Sequence, residues 1–141
     1  MKLLVDIGNH RLKWATSAQL EHGISASAAD IQSMDISGPG FTDSLGALQE
    51  SVGRPVAVWA ASVAGEEVNQ VLSAWVRAAW GLEVVFLSST ARACGIVNGY
   101  EQPGTLGVDR WAAIVAACER APGESVLIID AGTAVTIDYV G

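Results

Sequence analysis

Val5-Asp6-Ile7-Gly8-Asn9-His10-Arg11-Leu12-Lys13 reads as a strand, a turn and a second strand. The apolar run Leu3 to Val5 predicts a buried strand that stops at a carboxylate, Asp6. Gly8 follows two residues on, then Asn9, a residue that tolerates positive φ. The chain resumes as a short strand over Arg11 to Thr16, with Leu12, Trp14 and Thr16 on one face and Lys13 on the other. The tip of this hairpin can offer backbone N–H groups, a carboxylate and a lysine to one small volume. Such N–H groups form a concavity that suits phosphate oxygens, and a carboxylate beside it can hold Mg²⁺ directly or through water. Asp-x-Gly-Asn is also an ordinary hairpin turn, because Asn and Gly supply the dihedrals a tight turn needs. An echo near the other end shifts the balance. Val126-Leu127-Ile128-Ile129-Asp130-Ala131-Gly132-Thr133-Ala134-Val135-Thr136-Ile137-Asp138 repeats the plan: an apolar strand, a carboxylate, a glycine and an alternating strand. Two carboxylate-tipped hairpins suggest two related half-sites for one ligand.

The composition frames this reading. The 141 residues are 50% hydrophobic and 16% charged, which fits a compact fold and argues against disorder. That length corresponds to one domain, or to one domain and the start of another. The formal charge is −7, and the eight basic residues are scattered, so there is no basic stripe for a nucleic acid. An anionic ligand would need backbone dipoles, a metal and a few placed cations. Cys94 and Cys118 have no C-x-x-C spacing and read as thiols of a reducing cytosol rather than as a disulfide or metal site. The N-terminal apolar run ends at Asp6, so no signal peptide is expected. No run approaches the roughly 20 apolar residues of a membrane span. A cytoplasmic protein without a membrane partner is the expectation.

Between the two hairpins the pattern alternates between strands and helices. Gln19 to Ala26 is read as a third strand and Ala28 to Gly40 as mostly loop. Thr42 is the expected N-cap of a helix reaching about Val52, with Leu45 and Leu48 inward. Pro55 to Ala61 is apolar on both faces and predicts a strand inside a sheet. Val68, Val71, Leu72, Trp75, Val76 and Ala79 give Gly65 to Trp80 a helical stripe, ended by Gly81. Glu83 to Leu87 is a further strand. Trp59, Trp75 and Trp80 are expected to pack the core rather than bind a base or sugar. Cys94 to Thr105 is a long loop rich in Gly, Asn and Pro, of a kind that is often functional. A helix to about Arg120 follows, with Trp111, Ile114, Val115 and Cys118 inward; Asp109 and Arg110 fall in or near its first turn, off that stripe. Acidic residues favour helix N-termini in any case, and Asp-Arg can be a solvated pair. Pro122 to Ser125 breaks the helix. The expected domains are thus residues 1–121, a complete α/β unit, and 122–141, the opening hairpin of a second, incomplete one.

Strands, helices and hairpins in this order resemble the actin, sugar kinase and Hsp70 superfamily, and within it the type III pantothenate kinases, also described as Bvg-accessory-factor-like proteins. Three stretches carry the resemblance across the whole chain. Asp6 to Lys13 is similar to the first phosphate motif, D-x-G-N-[ST]-x-x-K. Asn98-Gly99-Tyr100-Glu101-Gln102-Pro103 with Leu106-Gly107-Val108-Asp109-Arg110-Trp111 is similar to the substrate segment. Asp130 to Thr136 is similar to the second phosphate motif. His10 departs from the pattern: it stands where the family usually has Thr or Ser, so no hydroxyl contact to phosphate carries over there. The family also has a complete second domain, with the adenosine pocket and part of the substrate site, which these residues do not include.

The resemblance implies an α/β, ribonuclease H-like (actin-like ATPase) domain, with a mixed sheet flanked by helices and the first hairpin of a second similar domain. It implies ATP-dependent phosphorylation of pantothenate, the first step toward coenzyme A, by a homodimer. Asp6, Gly8, Asn9 and Lys13 would handle ATP phosphates, with Asp6 near Mg²⁺; Gly132 and Thr133 would contact ATP. Tyr100, Gly107, Val108, Asp109 and Arg110 would line the pantothenate pocket, with Asp109 as general base. Asp130 would bind the monovalent cation, K⁺ or NH₄⁺. Two alternatives stay open on the residues: a non-catalytic N-terminal half or binding protein of the same fold, and another phosphotransferase or phosphatase of the superfamily. The Leu-Gly-x-Asp-Arg-Trp segment argues against the last, since generic Asp-x-Gly hairpins do not require it.

Overall fold

The computed structural model describes residues 1–20, 31–38, 40–132 and 134–141. They form two compact units, Met1–Leu87 and Ser88–Gly141. The first unit holds β1 (Lys2–Ile7), β2 (Arg11–Thr16), α1 (Ser17–Leu20), β3 (Gln32–Asp35), α2 (Phe41–Val52), β4 (Ala57–Ser62), α3 (Glu66–Trp80) and β5 (Val84–Phe86). Its five strands are ordered β3-β2-β1-β4-β5. β2 pairs antiparallel with both β1 and β3, while β4 runs parallel to β1 and β5. This is the mixed sheet of a ribonuclease H-like, actin-like ATPase domain.

Strand alternation explains the layers. Leu3, Val5 and Ile7 of β1, Leu12 and Trp14 of β2 and Val58 and Ala60 of β4 share one face. That face packs against Leu45 and Leu48 of α2 and Leu72, Val76 and Trp80 of α3 in one core. Intervening residues, Asp6 and Lys13 among them, point the other way and keep access to solvent. α3 is the helix its periodicity predicts. Glu66 and Glu67 lie in its first turn and Arg77 in its last, in line with the helix dipole, and Gly81 closes it in the left-handed region at φ 69°. Trp80 is buried and meets Trp75 edge-on at 4.8 Å. Trp59 departs from the expected core role: it lies on the open face of β4, 37% exposed, with the Lys2 ammonium 5.5 Å from its ring centroid.

Three local expectations are corrected. Gln19 and Leu20 end helix α1 instead of starting a strand; the rest of the expected strand, 21–26, lies outside the described residues. The cause is a capping box, Thr16-Ser17-Ala18-Gln19. The Thr16 Oγ1 accepts from the Gln19 N–H at 3.3 Å, and the Gln19 Oε1 accepts from the Thr16 N–H at 2.8 Å. The third strand is instead Gln32–Asp35, within the expected loop. α2 begins at Phe41 with Gly40 as N-cap and no side-chain cap, so Thr42 does not cap it.

The second unit holds β6 (Arg92–Ala93), β7 (Ile96–Val97), a 3₁₀ turn (Pro103–Thr105), α4 (Val108–Arg120), β8 (Val126–Ala131) and β9 (Val135–Val140). The expected loop from Cys94 thus contains a small hairpin. Cys94 (φ 49°) and Gly95 (φ 81°) form its two-residue tip, with both residues at positive φ. Cys94 and Cys118 are both free thiols. Leu106, Trp111 and Ile114 form a second core, on which Ile128 of β8 and Val140 of β9 pack. The division into compact units falls after Leu87. The opposite face of the β8–β9 hairpin is uncovered in this chain: Leu127, Ile129, Val135, Ile137 and Tyr139 are 60–69% exposed. Among the described residues, no helix is long and apolar enough to cross a membrane.

Candidate active site

The candidate residues fall in both units. In the first, Asp6 and Lys13 are cross-strand partners, and the Lys13 Nζ donates to the Asp6 Oδ2 at 3.3 Å. Their side chains are 44% and 53% exposed, so the pair contributes little to stability and stays open to a ligand. The Gly8 N–H closes the turn onto the Arg11 carbonyl at 2.9 Å. Gly8 is therefore not a free phosphate donor through its own N–H. The N–H groups of Asn9 and His10 make no backbone hydrogen bond among the described residues and are the donors this tip leaves free. His10 is tied down otherwise: its carbonyl accepts from the Ile36 N–H at 3.0 Å, and its Nδ1 lies 3.3 Å from the Ser37 Oγ.

The dihedrals of this tip bear on its role. Among the described residues, Cys94 is the one non-glycine residue at positive φ, and neither Gly8 nor Gly132 uses the left-handed region. The turn therefore does not draw on the special dihedrals that Asn and Gly allow. A Cβ added at Gly8 would lie 3.6 Å from the Arg11 carbonyl, and one at Gly132 would lie 4.0 Å from that of Ala134; both are ordinary contacts. The fold does not demand glycine at either position. What glycine leaves is bare backbone at each tip, where a ligand can approach closely.

In the second unit, Gly107 is the N-cap of α4, and Val108, Asp109 and Arg110 form its first turn. Val108 is buried, so it can line a ligand site only through its backbone. Asp109 is half-buried; its Oδ1 accepts from the Arg110 N–H at 2.8 Å, which fixes the carboxylate at the helix end. Arg110 does not pair with Asp109 as a solvated ion pair. Its Nε donates to the Asp138 Oδ2 at 3.0 Å and its Nη2 donates to the Asp138 Oδ1, a bidentate clamp. That clamp, with the Tyr100 side chain beside it, raises the guanidinium's already high pKa further.

Tyr100 owes its position to Asn98, which is buried. The Asn98 Oδ1 accepts from the Tyr100 N–H at 3.1 Å, while its Nδ2 donates to the carbonyls of Thr90 (3.2 Å) and Pro103 (3.3 Å). One side chain thus joins the segment before β6, the 3₁₀ turn and Tyr100. Asn98→Ala is expected to destabilise the second unit by about 1–3 kcal/mol, because it strands partners on three segments. Urea unfolding of the two proteins checks this, and a change below the error of the fit would contradict it.

The second hairpin carries Asp130, exposed and paired in register with Thr136. The Gly132 N–H closes onto the Ala134 carbonyl at 3.0 Å, one residue tighter than the Gly8 closure onto Arg11. The copies differ where Lys13 faces Asp6: Thr136 faces Asp130, and no Lys or Arg pairs with Asp130 among the described residues. Thr133 lies outside the described residues. The described residues hold no cluster of three or more His, Cys, Asp or Glu, so a cation here would rest on single carboxylates plus ligand oxygens. Sequence reading missed Asp138. Its signal was a charge on the strand face shared with Ile128 and Val140, where burial requires a partner.

A family model described as type III pantothenate kinase matches residues 2–141. The type III pantothenate kinase of Alkalilimnicola ehrlichii is 41% identical over 139 residues, covering 99% of this chain and 53% of its own length. Those of Halorhodospira halophila (38% identical, 98% and 54%) and Nitrosococcus oceani (36% identical, 99% and 52%) behave alike. The chain spans about half the length of these curated relatives. It belongs to the type III pantothenate kinase family.

Proposed function

We propose that the protein to which this chain contributes transfers the γ-phosphoryl group of ATP to the primary hydroxyl of pantothenate, the first step toward coenzyme A. The observation that carries this reading is the pair of glycines, Gly8 and Gly132, kept at two carboxylate-tipped turns whose backbone geometry does not require them. Close approach of phosphate accounts for both. The Asn9 and His10 N–H groups and Lys13 would bind phosphate oxygens; at the second hairpin Thr133 would contact ATP, and Gly132, whose N–H is taken by Ala134, would serve by leaving room for close approach. Asp6 suits Mg²⁺, because a single exposed carboxylate can hold the ion when phosphates and water complete its shell. Mg²⁺ when bound would neutralise charge on the transferred group. Asp130, which has no ammonium partner among the described residues, suits the monovalent cation, K⁺ or NH₄⁺.

On the substrate side, Tyr100, Gly107 and Arg110 would orient pantothenate, with the Val108 backbone. Asp109 would hold the attacking hydroxyl in line and take its proton. Phosphoryl transfer depends mostly on positioning and charge neutralisation, so a weak base suffices if its proton transfer comes late. The same reading makes the protein a cytoplasmic homodimer. It makes residues 122–141 the opening strands of a second domain, whose remainder would cover the bare face of β8–β9. A non-catalytic half-site is the second reading, favoured by the share of the relatives that this chain spans.

Gly8→Ala tests the phosphate role directly. Stability should stay within about 1 kcal/mol, since the added methyl meets no clash, while ATP·Mg²⁺ affinity, measured by calorimetric titration of the chain continued by its second half, should fall by about tenfold or more. Equal affinities in the two proteins would return the tip to an ordinary turn.

A further inference from the structure

We propose that Asp138, a residue outside the motifs above, is a positioning residue for the anionic end of the substrate: it clamps one edge of Arg110 so that the other edge meets a carboxylate. The inference rests on the pantothenate reading and adds a specificity determinant to it. The geometry is specific. Asp138 is 10% exposed at its side chain, and Arg110 is 26% exposed. A guanidinium has five N–H donors. Asp138 takes the Nε–H and one on Nη2, so three remain, beside Tyr100. Arg110 lies in the first turn of α4, where the helix dipole disfavours a cation. Asp138 offsets that cost by pairing with the guanidinium. Here it holds a cation at the end where Asp109 stands, one residue away. Asp138 neutralises that cation only in part of its hydrogen-bonding capacity, leaving a planar fork that suits a second carboxylate. Asp138 also lies on β9, paired with Ile128 two residues before Asp130, so the clamp ties α4 to the hairpin that carries the cation-site candidate.

The test compares pantothenate with pantothenyl alcohol, in which a hydroxyl replaces the carboxylate, by calorimetric titration of a protein in which this chain is continued by the second half its relatives possess. Asp138→Asn keeps the size of the side chain and weakens the clamp. Pantothenate affinity should fall by about tenfold or more, and affinity for the alcohol should change little. In an Arg110→Lys background, Asp138→Asn should add nothing further, because its effect runs through the guanidinium. Arg110→Met with Asp138→Leu removes both charges together and should fold, yet lose the preference for pantothenate. Equal loss of both ligands in Asp138→Asn would reduce the clamp to a structural tie and overturn the inference. So would unchanged pantothenate affinity, or a folded double replacement that still prefers pantothenate. If the unsubstituted protein, with its second half in place, binds the alcohol and pantothenate equally or binds neither, the substrate reading fails and the inference fails with it.

Discussion

Asp109→Asn should lower kcat for pantothenate-dependent ADP formation by roughly 10²–10⁴-fold, the range for removing a general base, in a protein where this chain is continued by the second half its relatives possess. The replacement is close to neutral for the fold. The amide oxygen can still accept from the Arg110 N–H that now holds the Asp109 Oδ1 at 2.8 Å, so the first turn of α4 keeps its geometry. Asparagine cannot take a proton from an alcohol. ATP·Mg²⁺ binding should be largely spared, because its candidate ligands sit on the two hairpins. A rise in KM with kcat intact would make Asp109 a binding group only. Unchanged turnover would remove it from the mechanism.

Leu12→Ala should destabilise the protein by about 2–5 kcal/mol, measured by urea unfolding. Leu12 is fully buried and pairs in register with Ile7, itself fully buried, at the inner end of the first hairpin. The cavity would open directly behind the Gly8–Arg11 turn, so part of the native margin of about 5–15 kcal/mol is lost where the phosphate tip is anchored. One residue on, Lys13 faces solvent, and its pair with Asp6 is worth at most about 1 kcal/mol. The contrast separates scaffold from site within a single strand. A Leu12→Ala cost below about 1 kcal/mol would mean that the hairpin is not braced by this core.

Legibility in the sequence followed the strength of local signals. α3 was readable because its apolar stripe and its terminal Gly81 agree, and Gly81 does adopt the left-handed conformation. The two hairpins were readable because strand, carboxylate and glycine recur in the same order. β3 was not, because Gln32-Ser33-Met34-Asp35 is an edge strand in which Met34 alone packs on the core. Thr16 and Gln19 did carry a signal, the spacing of a capping box, and it outranks the weak alternation that suggested a strand. The Cys94-Gly95 tip is two residues long inside a Gly-rich stretch, which masks the short strands on either side. At the site, Asp6, Lys13, Asp109 and Arg110 were legible as motif members. Their partners were less so. That Gly8 spends its N–H on Arg11, and that Arg110 turns to Asp138 across 28 residues, are tertiary facts. They follow from register and from helix-on-hairpin packing, which no local pattern states.

The central claim is that phosphate is transferred from ATP to pantothenate. Its most direct test is to identify the product by ³¹P NMR and mass spectrometry after incubating ATP, Mg²⁺, K⁺ and pantothenate with this chain continued by a complete second half. The predicted result is a phosphomonoester on the primary hydroxyl of pantothenate, formed with one ADP per product and absent when pantothenate or K⁺ is withheld. ATP left intact in the complete mixture, or ADP and inorganic phosphate formed without phosphorylated pantothenate, would contradict the account.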